Sequence, residues 1–341
     1  MLEATTLTLV GALFVAPVSA ANPSGSGLIL VHAAYGTPRE FVVTGRVVED
    51  KGVRVADPAR GRFANAIDTI KAMKRDPIAG AVVEVEVQGC RYTGAADTEG
   101  DFEIHAAEAC TSFPEGWLAI RAWLVDGHGR QAPEVEGRLL IIADAPGVGV
   151  ISDFDDTVVE SGVSDKAKLV YHTLTSNAAQ LLPVAGVAEA YGAAESAGAR
   201  AFFYVSGSPE SLHERISEFL RLHEIPPGPI LLKSFSTEAL GEQQEYKRRR
   251  IDAIMDVFPK LRFVLVGDSG EKDPEVYRRA ALEHPDRVLG IVIRRVQAGD
   301  NSAVRLAGMV VVDDYAGKSD VIATFVRRAA AQGGSHATST P

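Results

Sequence analysis

Apolar and polar positions change their rhythm once along this chain. In segments 41–48 and 81–87 apolar residues alternate with polar ones near period two over much of their length, and short apolar-rich runs follow at 102–104, 117–125 and 137–142. That spacing puts one side-chain type on each face of a strand. Turn chemistry separates the runs, as in Thr98-Glu-Gly100 and Asp126-Gly-His-Gly129. Many short strands joined by tight turns predict an antiparallel sandwich. Past residues 143–147 the runs become continuous and apolar (148–151, 201–205, 263–266, 288–293, 309–312), and segments 209–222, 245–258 and 274–283 between them read as helices. Strands alternating with helices predict a doubly wound parallel sheet, so the fold class is α/β preceded by an all-β domain. The boundaries follow: 1–20 a signal segment, 21–40 a linker, 41–143 the sandwich, 144–330 the α/β domain, 331–341 a disordered tail. Residues 52–76, polar and basic-rich, read as an insertion loop with a helical stretch near 64–73.

Composition narrows the classes. Lys and Arg total 35 against 45 Asp and Glu, a net charge of −10, which argues against a nucleic-acid partner. No stretch is long and apolar enough to predict a membrane span. Residues 7–15 are apolar and Val18-Ser-Ala20 has the small residues of a cleavage site, which favours export over a cytoplasmic location. Glu3, with no Lys or Arg near it, is not what a signal's first residues carry, and an ordinary apolar segment is the alternative. Cys90 and Cys110 show no zinc-ligand spacing. They form either one disulfide or two buried thiols.

The chemistry gathers at the ends of the later strands. The run Val148-Gly-Val-Ile-Ser ends in Asp153-Phe-Asp-Asp-Thr157. Unpaired carboxylates cannot be buried cheaply, and a hard divalent cation is a natural partner for them. Ser206 follows the run 201–205, with Ser208 and Pro209 after it. Lys247 lies near the start of the helix 245–258. Asp268 follows the run 263–266 and heads Asp268-Ser-Gly-Glu-Lys-Asp273. Each has a plainer reading: a solvated acidic turn, a helix N-terminal serine, a solvated basic face in Lys247-Arg-Arg-Arg250. Lys233 is a second candidate for a phosphate-binding lysine.

In this order along residues 147–328 the four motifs resemble the haloacid dehalogenase superfamily of phosphohydrolases. Ile151-Ser-Asp-Phe-Asp-Asp-Thr-Val158, Tyr204-Val-Ser-Gly-Ser-Pro209, Tyr246-Lys247 and Val266-Gly-Asp-Ser-Gly-Glu-Lys-Asp-Pro-Glu-Val-Tyr277 are similar to the actin-patch-associated phosphatidate phosphatase family and its bacterial relatives. Upstream, Pro77-Ile-Ala-Gly-Ala-Val-Val83 and Ala96-Asp-Thr-Glu-Gly-Asp-Phe102 resemble prealbumin-like sandwiches. The phosphatase resemblance implies Mg²⁺ as cofactor, with Asp153 as nucleophile and Asp155 as acid/base. Asp153, the Asp155 carbonyl, Asp268 and Asp273 would serve the metal, and Ser206, Lys247 and Thr157 the phosphate and its loop. Asp156 reads as a turn residue. Segments 158–200 and 210–246 leave room for a small cap at most, and an open site suits a lipid phosphate, with peripheral membrane contact. A soluble phosphoester is the alternative. So is an exported sandwich-type binding protein whose second domain is inert. Two further motifs are rejected. Gly267-Asp-Ser-Gly270 resembles a serine-protease loop, but Glu271 follows where those enzymes have glycine. Gly317-Lys-Ser319 lacks the first glycine of a P-loop, since Val312 stands there.

Overall fold

The computed structural model describes residues 27–50, 75–160, 180–233, 243–297 and 299–336. The expected signal segment 1–20, the helical stretch 64–73 and most of both cap segments' connecting loops (161–179 and 234–242) lie outside them. No helix among the described residues is long and apolar enough to cross a membrane.

Seven strands make the first sheet: β1 (Gly27–Gly36), β2 (Phe41–Glu49), β3 (Val82–Val87), β4 (Cys90–Ala95), β5 (Asp101–Ala106), β6 (Gly116–Asp126) and β7 (Gly129–Ile141). Their order is β4-β3-β6-β7-β1-β2-β5. Two expectations are corrected here. The strands are linked by hydrogen bonds into one continuous ladder, and within it β1–β7 is a parallel pair where only antiparallel pairing was expected. The segment 21–40, read as a linker, contains β1, because 27–36 carries enough apolar residues to seal the core beside β2. The sheet wraps one core, in which Phe41, Val43, Val85, Phe102, Ile104, Ile120 and Ile141 are buried. Cys90 and Cys110 are disulfide-bonded, Cα to Cα 6.1 Å, tying β4 to the loop after β5.

The second sheet is parallel. Its strands are β8 (Gly147–Ser152), β11 (Ala199–Pro209), β12 (Ile230–Lys233), β13 (Leu261–Asp268), β14 (Val288–Arg294) and β15 (Val310–Val312), in the order β12-β11-β8-β13-β14-β15. A small antiparallel pair, β9 (Val159–Glu160) with β10 (Leu182–Pro183), stands beside it. Helices α1 (Val187–Ser196), α2 (His213–Leu222) and α5 (Asp320–His336) pack on one face, α3 (Gln243–Val257) and α4 (Asp273–Glu283) on the other. Period-two alternation serves both layers. Val264 and Val266 face the first, Phe263 and Leu265 the second. Residues 331–336, expected as tail, continue α5, since Ile322, Val326 and Ala329 anchor that helix to the core.

The second face has another neighbour. Ala33, Tyr35, Val42, Leu140 and Ile142 from the first sheet share its core with Phe203, Phe258 and Leu261. The two sheets are therefore joined by a continuous apolar contact.

Candidate active site

Strand order fixes where a site can form. From β8 the chain crosses to β11 and β12 on one side, then returns to β13 on the other and continues outward to β14. The carboxyl ends of β8 and β13 flank the point where the winding reverses, and α/β sheets open a crevice there. Ser152 is in register with Tyr204 on β11 and Val266 on β13. Asp153, Ser206 and Asp268 therefore emerge side by side.

Four carboxylates and one ammonium meet at this edge. Asp153, Asp268, Asp273 and Lys247 are all buried. Lys247 Nζ, reaching in from α3, lies 2.8 Å from Asp153 Oδ1, 2.5 Å from Asp273 Oδ1 and 3.1 Å from Glu271 Oε2. Thr157 Oγ1 donates to Asp153 Oδ2 at 3.3 Å. Asp268 Oδ1 accepts from the Gly270 and Glu271 amides at 2.5 and 3.2 Å, while its Oδ2 is buried and has no hydrogen-bond partner among the described residues. Asp273 Oδ2 accepts the Asp268 amide at 3.2 Å. It can come this close only because residue 267 is glycine: a Cβ there would collide with the Asp273 carboxylate and the Tyr277 ring.

The charges do not balance, and the protonation states respond. Burial, with Asp273, Glu271 and Asp268 nearby, pushes the Asp153 carboxyl well above the ordinary range, against the pull of Lys247. Burial, with the neighbouring carboxylates, likewise raises Asp268 and Asp273. Lys247 is held well above its ordinary value, because Asp153, Asp273 and Glu271 outweigh the burial that would lower it. Oxygen atoms of Asp153, Asp268 and Asp273 lie within 4.8 Å of one another. The unsatisfied Asp268 Oδ2 and an all-oxygen donor set fit a hard divalent cation.

Asp155 stands apart from that trio and is half-buried. Its Oδ2 accepts from Ser206 Oγ at 2.8 Å and from Ser208 Oγ at 2.6 Å. Burial raises its pKa and the two serines oppose the rise. Asp156 adopts a left-handed φ of 55°, and its carbonyl accepts from Arg294 Nη1 at 2.8 Å, as suits a turn residue. Ser269 is buried and its hydroxyl accepts the Val296 amide at 2.8 Å, which leaves no protease-like nucleophile there. Lys233 ends β12, where it is buried and pairs in register with Pro209. Two participants were not singled out by sequence reasoning: Ser208 and Glu271. Ser208 lies near the end of β11 and Glu271 between β13 and α4, both within the strand-end motifs, and only the fold shows what each touches.

Residues 148–295 match the family model described as "Phosphatidate phosphatase APP1, catalytic domain". Phosphatidate phosphatase APP1 of Saccharomyces cerevisiae is 35% identical over 152 residues, covering 43% of this chain and 26% of that protein. An uncharacterized protein of Schizosaccharomyces pombe is 29% identical over 161 residues, covering 46% of this chain and 26% of its own. The chain thus spans about a quarter of the length of each of these relatives. Among solved structures, a bacterial immunoglobulin-like domain from the M. primoryensis ice-binding adhesin aligns at 14% identity, covering 35% of this chain and 97% of that one, with a TM-score of 0.17.

Proposed function

We propose, from the match of residues 148–295 to the catalytic domain of phosphatidate phosphatase APP1, that the chain is a Mg²⁺-dependent phosphatase acting on phosphatidate or a related lipid phosphate. The observation that carries this reading is the buried trio Asp153, Asp268 and Asp273 around Lys247, with Asp268 Oδ2 left unpartnered. A structural ion-pair network would satisfy such an atom; a site that loads a cation and a phosphoryl group leaves it waiting. In this reading the second domain has the haloacid dehalogenase-like fold, and the first is an accessory domain of prealbumin-like ancestry.

Asp153, Asp268 and Asp273 would hold the metal, together with the Asp155 carbonyl. When bound, Mg²⁺ supplies positive charge that screens the phosphate dianion from an anionic nucleophile. The rest falls to side chains. An Asp153 oxygen bonds to phosphorus as the ester P–O bond breaks, giving an aspartyl-phosphate. The Asp155 carboxyl delivers its proton to the departing oxygen. Water then attacks phosphorus, the Asp153–phosphorus bond breaks, and the water proton returns to Asp155. Lys247 binds phosphoryl oxygens as charge develops, Ser206, expected to bind them too, keeps its single proton on Asp155 Oδ2, and Thr157 holds Asp153 in its attacking orientation.

The test is phosphate release by the full chain from vesicles containing phosphatidate and from soluble sugar phosphates, with and without Mg²⁺. Metal-dependent release from the vesicles supports the lipid reading. Release from sugar phosphates alone replaces the lipid by a soluble ester. Silence on every ester leaves a binding protein with an inert second domain. Asp268→Asn is expected to raise the Mg²⁺ concentration needed for half-maximal rate, and an unchanged titration removes Asp268 from the metal site.

A further inference from the structure

None of these roles uses Ser208, yet it makes one of the short side-chain contacts of the site. Parallel pairing between β11 and β12 slips at this point: Ser206 pairs with Leu232, and the next pair is Pro209 with Lys233. Within the slip both hydroxyls turn toward Asp155. Ser208 Oγ donates to Oδ2 at 2.6 Å and Ser206 Oγ donates to the same oxygen at 2.8 Å. The Ser208 amide also donates to Ser206 Oγ at 2.9 Å, closing the arrangement.

We propose that Ser208 is a positioning residue that fixes the carboxyl plane of Asp155 and so directs its other oxygen, Oδ1, at the leaving group. This rests on the phosphatase reading, in which Asp155 is the acid/base. An oxygen that already accepts two hydroxyl hydrogen bonds has both lone pairs engaged, so the transferable proton is directed to Oδ1. One hydroxyl alone would leave the carboxyl free to swing about its last bond. Two, linked through a backbone amide, define its plane. In the first step the Asp153–phosphorus bond forms, the ester P–O bond breaks, and the Oδ1 proton passes to the leaving oxygen. Asp155 is left as a carboxylate whose new charge is stabilised by both serine hydroxyls. Without Ser208 the nucleophile and phosphoryl contacts are unchanged, but the proton is aimed poorly.

A leaving group that needs no proton separates this role from a structural one. Turnover of the full chain, Ser208→Ala and Ser208→Thr is compared on two pairs: phenyl and 2,4-dinitrophenyl phosphate, and phosphatidate and its analogue with sulfur as the bridging atom. On whichever pair the wild-type chain turns over, Ser208→Ala is expected to lose about 10- to 100-fold in kcat on the first member and under about threefold on the second. Ser208→Thr, which keeps the hydroxyl, restores most of the loss. Equal losses on both members, or a threonine variant as impaired as alanine, would overturn the assignment. A wild-type chain silent on all four esters instead removes the phosphatase reading itself, and the assignment with it.

Discussion

On the outer face of the first sheet, Glu86 on β3 is met by Arg130 Nη2 at 2.9 Å, by Arg91 at 3.4 Å and by Arg121, which lies directly across the ladder on β6. Arg130 also stacks on Trp123, 3.7 Å from the ring centre. Here a carboxylate has more cationic partners than it needs, and the guanidinium groups of Arg91 and Arg121 reach into solvent. At the carboxyl edge of the second sheet the ratio is inverted: Asp153, Asp268, Asp273 and Glu271 crowd one buried Lys247. The first arrangement holds a sheet surface together. The second is uncomfortable until something positive arrives, and that discomfort is what a catalytic edge needs.

Substitutions on the two sides should therefore behave differently. The largest effect is expected at Asp153, the proposed nucleophile. Asp153→Asn should lower turnover by about a thousand-fold or more without unfolding the metal-free protein, because it relieves repulsion; retention of a tenth of the activity would remove Asp153 from that role. Next comes Lys247→Met. Removing the one cation should cost about 3–5 kcal/mol at neutral pH, measured by urea unfolding without metal, and added Mg²⁺ should recover part of it. A loss no larger than that of Glu86→Gln would mean the two regions do not differ after all.

The smallest effects carry opposite signs with pH. Asp153 and Asp268 are raised in the folded state, so the folded protein keeps protons that the unfolded chain releases. Stability of the metal-free protein from this source should grow as pH falls from neutral toward the unfolded carboxyl value of about 4. Glu86 is lowered, first by its bond to Arg130, so its contribution is present above its unfolded value and is lost as acid protonates it. The urea midpoint of the metal-free chain should rise between about pH 7.5 and 5, and rise less in Asp268→Asn. An identical slope in both proteins would break the assignment of that slope to this edge.

Much of the molecule is written locally. The runs 148–151, 201–205, 263–266 and 288–293 become β8, β11, β13 and β14, 41–48 and 117–125 fall within strands of the first sheet, and 137–142 overruns β7 by one residue. Apolar runs closed by turn residues leave few other conformations open. Strand β1 was read as linker, and the last residues of α5 as tail. Gly27–Gly36 is apolar from Leu28 to Val31 but lacks period-two alternation and follows the Gly/Ser-rich run 22–27, and residues 331–336 are small and polar. What recruits both is a neighbouring surface, which local composition does not announce.

At the site the division is equally physical. The amino-acid order alone determined that Asp153, Ser206 and Asp268 close apolar runs and that Lys247 stands near the start of a helix, because period and punctuation are properties of neighbouring residues. Only the tertiary structure decided that Lys247 bridges Asp153 and Asp273, that Asp268 keeps a bare buried oxygen, and that Ser208 rather than a solvent molecule holds Asp155. Burial and electrostatic crowding depend on which distant segments are packed together, and the reversal of winding between β8 and β13 sets that.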